Sequence, residues 1–340
     1  MNEDAQAATL AGLRQLGLVG LDEAVEMVPL TGGVASDIWL VETATRKFAV
    51  KRALEKLRVA ADWHAPVSRN ASEVAWLKRA ALAAPHSVPT ILAHSPELGF
   101  FAMDFLAPND HPVWKRELKE GRADPDFAAR VGTALAAIHA STVNQPEIAG
   151  TFNDDALFRA LRIEPYLEFT ATRHPEVASV LLDIGKRTLA THRALVHGDI
   201  SPKNILVGPG GPIFLDAECA WYGDPAFDLA FCLNHLLLKC IWTPGATSGF
   251  LACFEHLTDG YLQHAQWEDT VALEARAAAL LPALLLARID GKSPVEYITE
   301  DEPKAFVRNF AVATLKAAPQ QLAVIKAGWR ESLSQLGGLA

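Results

Sequence analysis

The strongest constraint on the fold of this chain is a segment near its middle, residues 196–218, which reads VHGDISPKNILVGPGGPIFLDAE. Asp199 and Asn204 stand on a turn that contains Pro202, and Asp216 ends the second of two apolar runs. Two short apolar runs separated by glycines and prolines predict a β-hairpin. Because a hairpin brings the ends of its strands together, we expect Asp199, Asn204 and Asp216 to meet at one point.

Three oxygen-bearing side chains at one point suit phosphoryl transfer. Transfer from ATP needs Mg²⁺ on the phosphates and a group that orients the attacking hydroxyl and takes its proton. Mg²⁺ takes oxygen ligands and needs few from the protein itself. The sequence therefore predicts Asn204 and Asp216 as metal ligands and Asp199 as the catalytic base. The alternative is that Asp199 and Asn204 end a surface turn, where both residue types form local hydrogen bonds.

The pattern His-Gly-Asp-x-x-x-x-Asn, followed by an apolar run and Asp-x-Glu, resembles the signature of the aminoglycoside phosphotransferase and choline kinase family. The resemblance implies a protein-kinase-like, bilobal α+β fold. Its N-terminal lobe would be a small antiparallel sheet with one main helix, and its C-terminal lobe would be larger and mostly helical. The resemblance also implies Asp199 as base, Asn204 and Asp216 as Mg²⁺ ligands, and transfer of the γ-phosphate of ATP to a hydroxyl of a small molecule.

The pattern of apolar residues changes near residue 107. Before it, β-branched and aromatic runs predict strands at 38–41, 48–51, 90–93 and 100–105, with one amphipathic helix over 66–84. After it, longer periodic stretches predict helices, one opening at Asp124 and others at about 175–195, 248–264, 270–289 and 303–326. We expect an ATP-binding N-terminal lobe, 1–106, and a C-terminal lobe, 107–340, with the catalytic loop, the metal site and the acceptor-binding helices.

Two segments of the N-terminal part resemble phosphate-binding elements of kinases. Residues 30–38, LTGGVASDI, place a glycine pair between two strand-like runs, where backbone N–H groups approach phosphate oxygens. Taken alone this turn is an ordinary hairpin turn; its position before Lys51 favours Gly32, Gly33 and Ser36 as nucleotide contacts. The run that ends in Lys51 resembles the kinase strand whose lysine binds the α- and β-phosphates.

A buried lysine needs an anionic partner when ATP is absent. Glu73 is the predicted partner of Lys51, because it lies in the middle of the predicted helix on the face that also carries Leu77. Glu55 is closer in sequence and remains an alternative, as does a solvated role for Glu73.

Residues 101–106, FAMDFL, resemble the hinge of kinases, where adenine pairs with backbone groups. The resemblance implies Met103 as the gatekeeper residue. It also implies that the Asp104 carbonyl and the Leu106 amide face the base. The same residues also fit the last strand of the sheet, and both interpretations can hold.

The acceptor is predicted only as a class. Candidate contacts are Glu218 of the hairpin motif, Trp221 close after it, and Arg288 and Asp290 at the end of a long apolar helix. Aromatic residues such as Trp221 and Trp242 suit a quaternary ammonium group, and residues 220–223, AWYG, resemble the corresponding part of methylthioribose kinases. The predicted acceptor is sugar-like, an amino alcohol or aminoglycoside-like.

Two further polar residues are predicted to be structural. Asp228 resembles the family aspartate that opens a helix behind the catalytic loop, where it would accept hydrogen bonds from free backbone N–H groups. His139, in an apolar helical stretch, is predicted to be a packed structural histidine rather than a catalytic one.

Charge and composition exclude several other classes of partner. The net charge of −9 disfavours nucleic acid and anionic membranes. Four cysteines without a CxxC pair predict neither a zinc site nor disulfides, and therefore a reducing compartment. The acidic N-terminus does not resemble a signal peptide, and the longest apolar run, 277–287, is shorter than the roughly 20 residues that span a bilayer. We expect a cytoplasmic enzyme; the oligomeric state is not predicted.

Two other functions compete with a small-molecule kinase. A protein kinase is disfavoured because Gly198 replaces the arginine of the His-Arg-Asp loop. Only eight positions (224 − 216) also separate Asp216 from Asp224, which leaves no room for an activation segment. A nucleotide-binding scaffold, or pseudokinase, would keep the fold without transfer activity. Such proteins usually lack a catalytic group, whereas the predicted ones are all present here.

Overall fold

The computed structural model of the protein describes residues 3–30, 36–54 and 69–335. The chain divides into two compact units, Met1–Ala107 and Pro108–Ala340. Gly32 and Gly33 of the predicted phosphate-binding turn lie outside the described residues, and so does Glu55.

The described part of the first unit is an antiparallel five-stranded sheet with two helices, in the strand order β1-β2-β3-β5-β4. The strands are β1 (Glu26–Pro29), β2 (Ser36–Glu42), β3 (Lys47–Ala53), β4 (Ile91–Ser95) and β5 (Phe100–Asp104). The helices are α1 (Glu3–Gln15) and α2 (Arg69–Ala83). The four predicted strands and the predicted helix are present, while α1 and β1 had no sequence prediction.

The central strand β3 separates two buried faces. Successive side chains of a strand point to opposite faces of the sheet. Phe48 and Val50 therefore face the cluster formed with the end of α1, and Lys51 faces α2 on the other side. This alternation is what places a lysine in a buried position.

The second unit is mostly helical. Its α-helices before the catalytic segment are α3 (Trp114–Lys119), α4 (Pro125–Ala140), α5 (Pro146–Thr151), α6 (Asp155–Phe158), α7 (Phe169–Arg173) and α8 (Ala178–Leu189). Those after it are α9 (Pro225–Trp242), α10 (Thr247–Leu262), α11 (Thr270–Asp290), α12 (Asp301–Ala317) and α13 (Leu322–Gln335). Two small antiparallel sheets pair β6 (Ala194–Val196) with β9 (Trp221–Gly223) and β7 (Ile205–Gly208) with β8 (Gly211–Phe214).

The helix α9 is the centre of this unit, and nearly all its side chains are buried. Beside it, α4 and α10 approach closely at two glycines: a Cβ on Gly132 would lie 2.3 Å from the Leu257 carbonyl oxygen, and one on Gly260 would lie 2.4 Å from that of Ala129. Among the described helices, α11 is long and apolar enough to cross a membrane by length and composition. It packs against α9 and α12, as a core helix does.

One helical prediction was wrong in detail, and one helical segment had no sequence prediction. The helix predicted over 303–326 is two helices, because the chain turns at Ala318, which has φ 49°, just before Pro319. Proline cannot donate the next helical hydrogen bond and restricts the residue before it. Residues Arg159–Glu168 form a wide helical turn with i→i+5 hydrogen bonds, which Pro165 concealed from the periodicity.

Candidate active site

The segment that carries the three predicted oxygen ligands lies within the second unit. The buried strand β6 leads into a loop, 197–204, which ends in a single helical turn at Pro202–Asn204. The predicted hairpin follows as β7 and β8, with Ile205 paired to Phe214. The hairpin therefore returns the chain to Asp216 beside the start of the loop.

Four hydrogen bonds fix the loop, two within it and two that join it to the end of the hairpin. Asn204 Nδ2 donates to the Asp199 carbonyl oxygen at 3.0 Å, and the Leu215 amide donates to the Asn204 carbonyl oxygen at 2.9 Å. The Asp199 amide donates to Nδ1 of His197 at 3.1 Å, and His197 Nε2 donates to the Leu215 carbonyl oxygen at 3.0 Å. The structure thus brings Asp199, Asn204 and Asp216 onto adjoining segments, while their roles stay predictions.

The ring of His197 connects these segments by hydrogen bonds to the Asp199 amide and the Leu215 carbonyl oxygen. It is fully buried, and burial lowers the pKa of its imidazole below the ordinary value, although neighbouring carboxylates oppose that shift. The neutral ring can accept at Nδ1 and donate at Nε2, which matches both of its hydrogen bonds.

The Asp199 carboxylate is held by two cations. Its Oδ2 lies 3.2 Å from an Arg162 guanidinium nitrogen and 3.1 Å from Lys203 Nζ. Burial by itself would raise the pKa of Asp199, but Lys203 and Arg162 hold it below its ordinary value despite the opposing charge of Asp216. The carboxylate is therefore ionised at neutral pH and fixed in orientation.

Two backbone positions in the segment require unusual conformations. Gly198 has φ 77°, and a Cβ there would lie 2.5 Å from the Cys219 carbonyl oxygen. The Gly198 carbonyl also accepts a hydrogen bond from Arg162 Nε. Asp216 has φ 69°, which side chains other than glycine adopt at a cost of roughly 1–2 kcal/mol. Backbone strain of this kind concentrates at functional sites.

Asp228 and His139 support the loop from behind and are fully buried. The Asp228 carboxylate accepts hydrogen bonds from the amides of His197 at 2.7 Å and Gly198 at 2.8 Å, and it lies 3.2 Å from His139 Nε2. The N-terminus of α9, the helix that carries Asp228, is capped by Asp224, whose side chain accepts a hydrogen bond from the Ala226 amide. The helix-start prediction for Asp228 was wrong, because its carboxylate binds N–H groups of the loop instead.

In the first unit, Lys51 and Glu73 form a buried ion pair. Lys51 Nζ lies 2.9 and 2.7 Å from the two Glu73 carboxylate oxygens, and each side chain is at most 4% exposed. The structure therefore brings together the two residues that the sequence paired.

The other predicted nucleotide contacts of this unit lie on strands or just after one. Ser36 is buried at the start of β2, opposite Ala53 of β3. Met103 and Asp104 end β5, and the Asp104 amide donates to the Thr90 carbonyl oxygen at 3.0 Å. Leu106 follows β5 and is partly buried. Their nucleotide roles stay predictions.

The comparison with known proteins identifies the family. Residues 26–265 match the phosphotransferase enzyme family, APH, which is more than half of the chain. The chain belongs to this family. Among its relatives is the methylthioribose kinase of Pectobacterium carotovorum, 30% identical over 235 residues, which cover 60% of this chain and 57% of the relative. The chain thus spans only part of the length of such relatives.

Solved structures of the same fold cover nearly the whole chain. An ethanolamine kinase from Plasmodium vivax has a TM-score of 0.58 at 13% identity and covers 96% of this chain and 91% of its own. An amicoumacin kinase in complex with AMP-PNP and Ca²⁺ has a TM-score of 0.52 at 13% identity and covers 95% and 98%. The predicted protein-kinase-like α+β fold is confirmed, as is the family resemblance.

The predicted acceptor contacts of this phosphotransferase-family chain lie in different surroundings. Trp221 is 1% exposed, stacks on Phe158 at 4.2 Å and donates to Asp155 at 2.7 Å, so it belongs to the core. Glu218 is partly buried. Burial is the main cause of the raised pKa of the Cys219 thiol, and the Glu218 carboxylate raises that pKa further.

Asp290 and Arg288 differ although they are near neighbours on α11. The Asp290 carboxylate binds Arg308 at 2.7 and 2.9 Å and His174 at 2.9 Å, and it does not line a described cavity. Arg288, in contrast, lines a small cavity of the second unit. These contacts give Asp290 a structural role and leave Arg288 as the better candidate.

The sequence reasoning missed residues that distant segments bring to the site. Arg162 had no assignment because it stands in the wide helical turn that the pattern concealed. Lys239 is the one charged residue in the apolar run LLLKCI of α9. Because lysine is almost never fully buried without a partner, its position in this run could have indicated a special role.

Proposed function

We propose that the protein is an ATP- and Mg²⁺-dependent phosphotransferase that phosphorylates a hydroxyl group of a small molecule, with Asp199 as the base. The observation that carries the proposal is a buried, ionised Asp199 on a loop that is hydrogen-bonded to Asn204 and to the residue before Asp216. Membership in the phosphotransferase family and relatives named methylthioribose kinase support a small molecule over a protein as the acceptor.

Asp199 is suited to receive the proton of the acceptor. As the hydroxyl oxygen bonds to the γ-phosphorus of ATP, the bond from that phosphorus to the leaving ADP oxygen breaks, and the hydroxyl proton passes to Asp199. Arg162 and Lys203 keep the carboxylate ionised and in one orientation, so much of its contribution is positioning of the hydroxyl.

The donor set fits Mg²⁺. Asn204 and Asp216 offer amide and carboxylate oxygens, and Asn204 Nδ2 is already used by the loop, which leaves Oδ1 for a ligand. In the described residues no group of three His, Cys, Asp or Glu side chains forms a metal site, so phosphates and water would complete the coordination. Bound Mg²⁺ would neutralise charge on the phosphates.

The first unit would hold the nucleotide. We propose that Lys51 binds its α- and β-phosphates, and that Glu73 balances the buried ammonium when the nucleotide is absent. The nucleotide and divalent cation in the amicoumacin kinase complex, which has the same fold, support nucleotide binding by this protein.

Asp199→Asn tests the base. The variant should lose about a hundredfold or more in kcat, about 2.7 kcal/mol of transition-state stabilisation, while a thermal-shift titration still detects ADP and Mg²⁺. Asp183→Asn on the exposed surface of α8 is the matched control. Undiminished turnover of Asp199→Asn would refute the assignment. ATP binding by the wild type without transfer to any acceptor would favour a nucleotide-binding scaffold.

A further inference from the structure

Half of the residues that line a cavity beside the candidate base are lysine or arginine. It lies within the second unit, between the catalytic loop, α3, α9, α11 and the segment after α11. Its lining residues are Lys115, Pro202, Lys203, His235, Lys239, Arg288, Glu296 and Tyr297. Four of these are lysine or arginine and one is acidic, Glu296, which pairs with Lys115. The lining therefore carries a net positive charge.

Lys239 is the most unusual member of this lining. Its side chain is 1% exposed, and within residues 69–335 its Nζ has no hydrogen-bond or ion-pair partner. It lies 3.8 Å from the ring centroid of Tyr297 and 4.2 Å from that of Trp242. Buried lysines are almost always paired, and the acidic member of the lining, Glu296, pairs with Lys115 instead, so a bound anion would give Lys239 a partner.

Two further polar atoms of the lining are buried without a partner in the described structure. They are Nε of Arg288 and the hydroxyl oxygen of Tyr297. Another Arg288 nitrogen donates to the Ser293 carbonyl and holds the side chain in place. Buried polar groups without partners are few in native proteins and call for an explanation such as a bound ligand. Arg288 Nε is a donor only, and the Tyr297 hydroxyl can donate as well as accept, so both can donate to a bound anion.

A cationic acceptor fits this cavity poorly. Trp242, which the sequence suggested for a quaternary ammonium, stacks on Tyr297 at 4.2 Å. The faces of both rings are already covered by Lys239, and Lys115 lies 5.9 and 5.8 Å from the two centroids. The rings of Trp242 and Tyr297 thus already contact lysines of the chain itself, and a cationic acceptor would be repelled by the Arg288 guanidinium in the same lining.

The cavity adjoins the candidate base through Lys203, which lines the cavity and lies 3.1 Å from Asp199 Oδ2. We propose that this cavity binds a carboxylate or similar anionic group of the acceptor, so that the molecule phosphorylated is an anionic hydroxyl compound. The inference rests on the proposed function, and it narrows the acceptor class within it.

An acceptor panel tests the inference with the full chain, ATP and Mg²⁺. One matched set is glucuronate, glucose and glucosamine; a second is glycerate, glycerol and serinol; methylthioribose is added as a neutral sugar. We expect kcat/KM for the acids to exceed that of their neutral and cationic analogues by about a hundredfold, because charge-assisted hydrogen bonds are strong. Equal or better use of methylthioribose, glucose or serinol overturns the inference and leaves the proposed function standing.

A binding measurement separates the two proposals. Calorimetric titration of the same acids into the protein with ADP and Mg²⁺ needs no turnover. If the acids bind and no acceptor is phosphorylated, the proposed function fails and the anion site stands. If inorganic phosphate binds and neither acid does, or if nothing anionic binds, the inference is overturned.

Lys239→Met and Tyr297→Phe locate the effect in the cavity. Lys239→Met should raise the KM or Kd for the acids by about thirtyfold and leave ADP binding unchanged. Tyr297→Phe should raise the KM or Kd for the acids by about fivefold. Lys186→Met on the exposed surface of α8 is the control and should stay within twofold. Unchanged affinity for the acids, or equal losses with neutral acceptors, contradicts an anion site at Lys239.

Discussion

Replacement of Lys239 by methionine should make the protein more stable although it impairs binding of an acidic acceptor. In the unfolded chain the ammonium is hydrated and has its ordinary pKa of 10.5. In the folded protein, burial lowers the pKa of Lys239 to about 6, with a further contribution from Lys115 and Arg288 that Glu296 opposes. His235 on the same helix is held neutral by burial, which lowers its pKa. Near neutral pH the folded protein has therefore released a proton that the unfolded chain keeps.

The size of the effect follows from this difference in pKa. At pH 7.5 the solution is three pH units below the ordinary value of 10.5, and each unit corresponds to about 1.36 kcal/mol, so the cost to folding is at most about 4 kcal/mol. The contacts of Lys239 with Trp242 and Tyr297 offset part of it. We therefore expect Lys239→Met to gain about 2–4 kcal/mol at pH 7.5.

The sign of the pH dependence provides the sharper check. Since the folded-state pKa of Lys239 is lowered, the cost is absent above pH 10.5, grows as the pH falls and levels off near pH 6. Unfolding by urea at pH 6.5, 7.5 and 9.5 should show the gain of Lys239→Met shrinking to about 1.4 kcal/mol or less at pH 9.5. Lys186→Met is the control. A destabilised variant, or a difference that does not change with pH, would refute the reasoning.

Two other substitutions test supports of the site. Gly198→Ala should lower the free energy of unfolding by about 2 kcal/mol or more and abolish activity, because its φ is 77° and a Cβ there would lie 2.5 Å from a carbonyl oxygen. Thermal unfolding and turnover measure both effects, with Gly150→Ala as the control because a Cβ there meets nothing within 4 Å. Equal effects of the two substitutions would contradict the steric argument. Glu73→Gln should cost about 3–5 kcal/mol in urea unfolding, because it removes the negative charge that lies 2.7 Å from the buried ammonium of Lys51. Glu42→Gln at an exposed pair should cost less than about 1 kcal/mol, and a similar cost for both would count against the buried pair.

The parts of the site that the sequence predicted are those that form locally. Asp199 and Asn204 precede one hairpin and Asp216 follows it, so strand signals and turn residues determine which side chains meet. Glu73 was predictable because the periodicity of its helix gives its face, and the apolar run before Lys51 gives the burial of its partner.

The parts that could not be predicted depend on packing between distant segments. Arg162 contacts Asp199 across 37 positions (199 − 162), from a π-helix whose Pro165 interrupts the helical pattern of the sequence. Lys239 and Tyr297 meet only because α9 packs beside the segment that follows α11. No local pattern encodes such contacts; a single lysine in an apolar helix indicates that something compensates its charge, but not where.

This division bears on the charge of the acceptor. The loop that carries Asp199 is fixed by its own hairpin and by Asp228 of α9. Lys203 of this loop lines the cavity and lies 3.1 Å from Asp199 Oδ2, whereas the other basic groups of the cavity are single positions on α3, α9 and α11, outside the loop. A shared fold with an ethanolamine kinase therefore does not fix the charge of the acceptor. In this chain the proposed preference for an anionic acceptor depends on Lys239, which is buried and has no anionic partner in the described structure.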